Sequence, residues 1–173
     1  MKEVYFKDNF FSRGITEIFN ENQDQIGYLD LKSAFTSSVA VCGLDHKTHI
    51  EGRFSGFFKG RWIITGQNKV ELGRLQQSFS FTKRKFVYET ADRGNYTIVS
   101  KVFSKEYQIL NEKEEEVVCF ERVSGFFESR AYKLVNRSEL LSTEEWTAVV
   151  MGVNMFEKMS NDGGTAAMGG AVT

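Results

Sequence analysis

The C-terminal part of the chain predicts a helix that is apolar on almost every side. The segment 141–159 reads LSTEEWTAVVMGVNMFEKM, and within 146–156 only Thr147, Gly152 and Asn154 interrupt the apolar and aromatic side chains. A helix at a protein surface has one apolar stripe and one polar face. Because the central turns of this helix lack a polar face, we expect protein to surround them.

Both ends of this predicted helix are marked in the sequence. Ser142 with Glu145 three positions later predicts a capping box, and Glu144 and Lys158 suit the two ends of the helix dipole. The apolar stretch of about 11 residues is roughly 16 Å long, about half of a bilayer core. We therefore expect it to fill a protein core. Its expected core residues are Trp146, Val149, Val150, Val153 and Phe156.

Short β-strands are predicted along the whole chain before the helix. Strand-like segments recur about every 8–12 residues with turn residues between them, which is typical of an all-β barrel or sandwich. A helix surrounded by such strands indicates a mainly β fold, a barrel of hairpins that encloses one hydrophobic C-terminal helix. The predicted strands are 4–11, 15–20, 25–31, 38–43, 49–54, 61–65, 69–75, 77–81, 86–90, 95–103, 106–110, 116–123 and 130–135.

A repeated turn pattern supports the hairpins. The segments 18–26 and 109–117 both read as two apolar residues, Asn-Glu, four polar residues and a β-branched residue, and 64–70 and 88–96 are looser versions. Each predicts a strand, a polar loop that tolerates positive φ and a returning strand. The chain contains no proline, so its turns must depend on Gly, Asn and Asp.

Length and composition indicate one small globular domain. The chain has 173 residues, which predicts a single barrel over 1–160 and a flexible Gly/Ala-rich tail over 161–173. Cys42 and Cys119 each lie in an apolar run, which predicts two buried thiols rather than a disulfide framework. The net charge of −1 means that any charge-driven binding needs a local patch, and we expect no nucleic-acid partner.

The N-terminus and the hydropathy pattern bear on localisation. The first residues, MKEVYFKDNFF, lack the apolar segment of a signal peptide. The chain also lacks a stretch of about 18 apolar residues that would predict a transmembrane helix. We expect a cytoplasmic protein, which would be peripheral to the membrane if it binds lipid.

The order of these elements resembles the tubby-like superfamily, which includes the tubby C-terminal domain, the phospholipid scramblases and the LURP-one-related proteins. The segments 18–31 (IFNENQDQIGYLDL), 109–120 and 144–159 carry the resemblance, and small bacterial tubby-like proteins are the nearest match. The resemblance implies a barrel of about 12 strands around a hydrophobic helix. It also implies a non-enzymatic role in binding lipids or phosphoinositides at membranes. In tubby the lipid site is a set of basic surface residues, and none of those positions can be matched to this sequence.

A basic segment at 83–85 (KRK) is the strongest binding candidate. The aromatic residues Phe81 and Phe86 flank it, and cations beside aromatic rings suit an anionic headgroup at an interface or a single-stranded nucleic acid. The alternative is a solvated hairpin turn whose lysines only protect a sheet edge. The candidate site for anionic lipid comprises Lys83, Arg84, Lys85, Lys59 and Arg61.

Two further clusters could carry chemistry. The segment 45–49 (DHKTH) lies three residues after Cys42 and could supply metal ligands, but residues 46 and 49 of a strand face opposite ways. We expect a polar loop there and no metal or cofactor. The acidic run 112–116 predicts a solvated loop, and the chain lacks a Gly-x-Ser-x-Gly motif, so we expect no enzyme.

Three functional hypotheses follow. The first is a non-catalytic tubby-like module that binds anionic lipid headgroups or an acidic partner at the membrane surface. The second is a structural or protein-interaction protein that uses exposed aromatic residues at 57–58 or 126–127, with its oligomeric state left open. The third is an enzyme or a barrel that binds a small ligand, which a helix-filled interior disfavours.

Overall fold

A computed structural model describes residues 1–12, 14–31, 38–56, 60–78, 85–100, 105–128 and 130–165, with side chains described as far as Ser160. The described residues form 12 strands, two short 3-10 turns (Asp8–Phe11 and Gln67–Lys69) and one long helix, α1 (Thr143–Thr165). The strands are β1 Lys2–Lys7, β2 Gly14–Phe19, β3 Gln25–Leu31, β4 Ser38–Cys42, β5 Thr48–Phe54, β6 Trp62–Thr65, β7 Glu71–Ser78, β8 Lys85–Glu89, β9 Asn95–Ser100, β10 Tyr107–Leu110, β11 Glu116–Val123 and β12 Ala131–Asn136.

The strands form one closed antiparallel barrel. Each strand pairs with its neighbours in the sequence, and β1 closes the barrel by pairing with β12 over six residue pairs, from Lys2 opposite Asn136 to Lys7 opposite Ala131. Closure leaves no free sheet edge among these strands. The predicted mainly β barrel around a C-terminal helix is confirmed.

The predicted strand boundaries differ from the structure at two places. The sequence predicts two strands, 69–75 and 77–81, whereas the structure has one continuous strand, β7, from Glu71 to Ser78. Residues 79–81 lie outside the described residues. Phe10 and Phe11 lie in a 3-10 turn instead of continuing β1, and both are buried. This turn places their rings at the end of the barrel interior, where the ring centroids lie 5.3 Å and 5.9 Å from that of Phe120.

Helix α1 fills the barrel. Its predicted core residues are confirmed, since Trp146, Val149, Val150 and Val153 are fully buried and Phe156 is 6% exposed. The helix extends six residues beyond the predicted end at 159, to Thr165. The prediction of a flexible tail from 161 overlaps this helix, and residues 166–173 lie outside the described part of the chain.

The three residues that interrupt the apolar run of α1 are also buried. The Thr147 hydroxyl donates a 2.9 Å hydrogen bond to the Thr143 carbonyl, which satisfies it within the helix. Gly152 leaves room for the indole of Trp62. Asn154 is 2% exposed, and its side-chain nitrogen has no hydrogen-bond partner among the described residues.

One turn geometry recurs along the barrel. In the turn 20–24 the Asn20 amide donates to the Asp24 carbonyl, and the Asn20 side-chain oxygen accepts the amides of Asn22 and Asp24 at 2.9 Å. Asn111 does the same for the turn 111–115. The two segments that matched in sequence therefore match in structure. The turns 43–47, 66–70 and 90–94 close with the same first-to-fifth residue backbone hydrogen bond.

These five turns and the start of α1 share one end of the barrel, which we call the start end. The antiparallel order places the other strand ends at the opposite end, which we call the exit end, where the structure describes residues 8–12, 55–56, 60–61 and 105–106. The segment 125–128 instead folds back along the wall, and its Phe126 carbonyl accepts a 2.7 Å hydrogen bond from the Gln23 side chain. Helix α1 runs from the start end to the exit end. Glu144 contacts His49 at the beginning of β5, whereas Lys158 reaches the carbonyl of Phe11 beyond the end of β1.

Candidate functional site

The amino-acid sequences of the two sets of strand connections differ in charge. The six connections 8–13, 32–37, 55–61, 79–84, 101–106 and 124–130 contain nine basic and three acidic residues, whereas the segments 20–24, 43–47, 66–70, 90–94, 111–115 and 137–142 contain five basic and eight acidic residues. Of the nine basic residues the structure describes Arg61, Lys105 and Arg130. The other six lie outside the described residues: Arg13, Lys32, Lys59, Lys83, Arg84 and Lys101.

Two of the five residues of the predicted site lie in the described part of the chain. Lys85 is the first residue of β8, and Arg61 directly precedes β6; both are exposed. Because β6 pairs with β7, the hairpins that carry them are neighbours at the exit end. The remaining predicted residues, Lys59, Lys83 and Arg84, lie outside the described residues.

The alternation of side chains along β6 and β8 indicates whether Arg61 and Lys85 belong to the inner or the outer face of the barrel. Trp62 and Phe86 are buried in the barrel interior. Since successive residues of a strand point to opposite faces, the adjacent Arg61 and Lys85 are in phase with the outer wall. The sequence-predicted basic residues that the structure describes therefore belong to the outer surface of the exit end.

A second basic group lies at the mouth of the barrel. Tyr107 and Phe120 are paired, buried residues of β10 and β11. Arg122 follows Phe120 by two positions within β11, so it is in phase with the interior at the exit end, and Lys105 lies in the connection just before β10. Lys158 comes from the helix that emerges there. We call Lys105, Arg122 and Lys158 the mouth cations.

Two aromatic rings connect the mouth cations. Phe11 and Tyr132 pack edge to face, with their centroids 5.1 Å apart. The Lys105 ammonium lies 4.4 Å from the centroid of the Phe11 ring, and the Lys158 ammonium donates to the Phe11 carbonyl at 3.0 Å. The Arg122 guanidinium lies 5.6 Å from the Tyr132 centroid and donates to its hydroxyl at 3.1 Å.

A carboxylate lies below this group. Glu157 accepts hydrogen bonds from Ser100 Oγ and from the Tyr107 hydroxyl, both at 2.9 Å. Burial, followed by the Glu157 charge, raises the pKa of Tyr107 well above its usual range, so Tyr107 stays a neutral donor. These two donors hold Glu157 at the inner side of the mouth, beneath the cations of the rim.

The electrostatics of the mouth act on Lys105. Partial burial lowers the pKa of this ammonium below its usual range, and the charges of Lys158 and Arg122 lower it further. Glu157 and Asp8 act in the opposite direction. An ammonium in this setting would be stabilised by an additional negative charge.

Sequence reasoning missed the mouth cations because they are far apart in the chain. Lys105, Arg122 and Lys158 belong to a connection, a strand and a helix. One signal was present: Arg122 continues the inward phase of Phe120, and a charge at an inward position near a strand end indicates a rim. Only the strand register shows that these positions meet.

The two histidines make separate contacts. His49 Nδ1 is 2.8 Å from Glu144 Oε1 at the start of the helix, whereas the His46 ring stacks on Tyr28 with centroids 4.7 Å apart. Asp45 instead accepts a hydrogen bond from the Lys47 amide. In the described part of the chain, no three His, Cys, Asp or Glu side chains are grouped as metal ligands would be.

The aromatic pair at 126–127 is not an exposed surface, contrary to the expectation from sequence. Phe126 stacks on Tyr5 with centroids 3.5 Å apart, and Phe127 packs edge to face on Phe19 at 5.0 Å. The segment therefore folds back over the outer wall of β1 and β2, because burying these four rings removes apolar surface from water. The other candidate pair, Phe57-Phe58, lies outside the described residues.

Cys42 and Cys119 are half-buried, whereas the sequence predicts that both thiols are buried in the core. The adjacent residues Val41 and Val118 are buried in the interior, so the cysteines follow the outer phase of β4 and β11. An apolar run alone does not reveal which of its residues face inward.

The start end holds a buried ion pair. Ser142 caps the helix as predicted, accepting the Glu145 amide at 3.1 Å. The Glu145 side chain does not complete a capping box but turns to the barrel wall, where it accepts hydrogen bonds from Arg93 at 2.7 Å and from the Tyr88 hydroxyl at 2.5 Å. Burial and the Glu145 charge raise the pKa of Tyr88. This network ties the helix to β8 and to the turn 90–94.

A closed barrel of 12 strands around a hydrophobic helix defines the class of fold in the described chain. An X-ray structure of a protein from Arabidopsis thaliana is similar, with a TM-score of 0.56 and 10% sequence identity over 92% of this chain and 91% of that chain. At this identity the likeness shows the fold alone.

The comparisons with protein families and curated proteins add no further relative. No family model matches the chain, and no curated protein matches it. Among the described residues no helix is long and apolar enough to cross a membrane.

Proposed function

We propose that this chain is a non-catalytic binding module whose basic exit end binds the anionic headgroups of a membrane surface. The observation that carries the proposal is the excess of basic residues in the sequences of the connections that follow β1, β3, β5, β7, β9 and β11, of which the structure describes Arg61, Lys105 and Arg130. Anionic leaflets attract clustered basic residues, and each Lys or Arg near the surface contributes about 1 kcal/mol. The protein would then be cytoplasmic and peripheral to the membrane, in line with its resemblance to LURP-one-related and scramblase-like proteins.

Orientation also supports this proposal. The acidic start end would be repelled by an anionic surface, so the electrostatic dipole of the barrel favours an approach with the exit end first. Arg61 and Lys85 lie on neighbouring hairpins at that end. The connections that carry Lys59, Lys83 and Arg84 join the same hairpins.

Co-sedimentation with vesicles tests the proposal. Vesicles of phosphatidylcholine alone should leave the protein in the supernatant, whereas those containing phosphatidylserine should bind it, less so at high salt. The variant K83A/R84A/K85A should bind the anionic vesicles about 100-fold more weakly, given about 1 kcal/mol for each cation.

The start end provides a matched control. The variant K47A/K69A/K113A removes three exposed lysines from turns at the opposite end, so it should bind as the unsubstituted protein does. Equal binding to neutral and anionic vesicles would reject the proposal. So would the same loss of binding in both triple variants, because net charge rather than the exit end would then be responsible.

A further inference from the structure

We infer that the mouth cations form a site for a phosphate group, with Lys105, Arg122 and Lys158 as its ligands. This inference deepens the proposed function, since the site lies at the same end of the barrel, but its residues are not those of the outer hairpins. Its chemistry would suit the phosphate of a lipid headgroup or that of a soluble phosphate monoester.

The geometry supports several simultaneous contacts. A phosphate monoester offers three acceptor oxygens, and charge-assisted hydrogen bonds from Lys and Arg are roughly twice as strong as neutral ones. Lys158 gives one donor to the Phe11 carbonyl and Arg122 one to the Tyr132 hydroxyl. An ammonium has three donors and a guanidinium five, so both groups can donate to a further acceptor.

The aromatic rings position these cations. Lys105 lies over the face of Phe11 and Arg122 over that of Tyr132, and the two rings are in edge-to-face contact. Cation–π contacts hold a charge at a defined place without neutralising it. The three cations are therefore presented around one aromatic pair before any ligand arrives.

The carboxylates of the mouth bear on how much negative charge the site accepts. Glu157 is engaged by Ser100 and Tyr107. The hydrogen bond to Tyr132, followed by the charges of Tyr132, Asp8 and Glu106, raises the pKa of Arg122. A ligand with several phosphate groups would be repelled more strongly by these carboxylates, so we expect the site to take a single phosphate group.

The pKa of Lys105 should report phosphate binding directly. Burial, Lys158 and Arg122 lower its pKa, so a bound phosphate should raise that pKa back toward the usual value of a lysine. NMR titration of the lysine side chains would measure this pKa in sodium phosphate and in sodium chloride of equal ionic strength. We expect the rise only in phosphate. The same pKa in both salts would overturn the inference.

Matched variants assign the site. K105Q, R122Q and K158Q should each weaken phosphate binding about tenfold, the loss of one charge-assisted contact. K113Q, at the start end, should leave it unchanged. Equal binding by the mouth variants and K113Q would overturn the inference. Since all three mouth residues are exposed, the variants should fold, which circular dichroism would verify.

The source of the phosphate is decided by comparing two probes on the same proteins. If glycerol 3-phosphate binds and phosphatidic acid vesicles do not, the site takes a soluble phosphate and the proposed membrane function fails. If the vesicles bind and the mouth variants release them more readily than K113Q, the site takes a lipid phosphate. If the vesicles bind with the mouth variants unaffected, the mouth site fails while the proposed function stands.

Discussion

The indole ring of Trp62 packs directly against the backbone of Gly152 in the central helix. A Cβ atom at position 152 would lie 2.6 Å from Trp62 Cδ1. The indole nitrogen donates a 3.2 Å hydrogen bond to the Ala148 carbonyl, one turn earlier in the helix. Gly52 on β5 is equally close to the indole, since a Cβ atom at position 52 would lie 2.6 Å from Trp62 Nε1. The two glycines therefore let the largest side chain of the wall lie between the sheet and the helix.

Replacing Gly152 by alanine should destabilise the protein. In an ordinary helix this change would stabilise by about 1 kcal/mol, because glycine is a poor helix former. Here the added methyl would overlap Trp62, so we expect a net loss of about 1–3 kcal/mol in the free energy of unfolding. Denaturation in urea would measure it.

The substitution W62F provides the matching background for this test. A smaller ring should leave room for the methyl group, so G152A should cost less in W62F than in the original chain. The coupling energy of the double-mutant cycle reports the contact itself. A G152A variant that is as stable as the original chain would contradict the close packing of Trp62 on the helix.

The ion pair between Arg93 and Glu145 should matter more than other ion pairs of the barrel. The Glu145 side chain is 3% exposed, so R93A would leave a buried carboxylate without its cation. We expect a loss of about 3 kcal/mol. The pair of Arg74 with Glu71 is exposed, and R74A should cost no more than about 1 kcal/mol. Equal losses in thermal or urea unfolding would contradict the structural role of the buried pair.

Local sequence patterns were sufficient for the elements and the helix core. The apolar run of α1 identified Val150 as core, and Ser142 was recognised as its cap because capping depends on neighbouring residues only. The Asn-Glu turns were recognised for the same reason, since the Asn20 side chain binds the backbone of its own turn. Such features need no knowledge of the tertiary register.

Features that depend on register were not predictable. Glu145 has the spacing of a capping-box residue, but its partner Arg93 is 52 residues away in the chain. The mouth cations likewise meet only when β10, β11 and α1 are assembled. The phase within a strand is encoded locally, whereas the identity of the facing strand is set by long-range pairing.

Tyr5 should make the stability of the protein depend on alkaline pH. Burial, then a 2.8 Å hydrogen bond to Glu3, raises its pKa to about 12. The unfolded-state pKa is about 10, so the folded protein favours the neutral phenol. This contribution to stability is fully present below pH ~10 and is lost as the pH rises to ~12. The variant Y5F should show a weaker fall in melting temperature over that window.

Substitution of Phe126 tests whether burial under its ring raises the pKa of Tyr5. Its ring covers Tyr5, so F126A should expose the phenol and lower the pKa of Tyr5 toward 10. Absorbance titration of the phenolates, compared with Y5F, would show it. Identical titration curves for F126A and the original chain would mean that the stacked ring is not the source of the burial.

Val150 tests the central helix as the core of the barrel. Its side chain is fully buried, so V150D would place an unpaired carboxylate in an apolar interior, at a cost that exceeds about 4 kcal/mol. We expect the variant to be unfolded, with a lost near-ultraviolet circular dichroism signal and no cooperative melting. Val70 is 60% exposed in a turn, so V70D introduces the same change where water solvates the charge. V70D should keep its melting temperature within a few degrees, since surface substitutions cost about 0.5 kcal/mol or less. A folded V150D with an unchanged melting temperature would show that the helix is not the core around which the strands close.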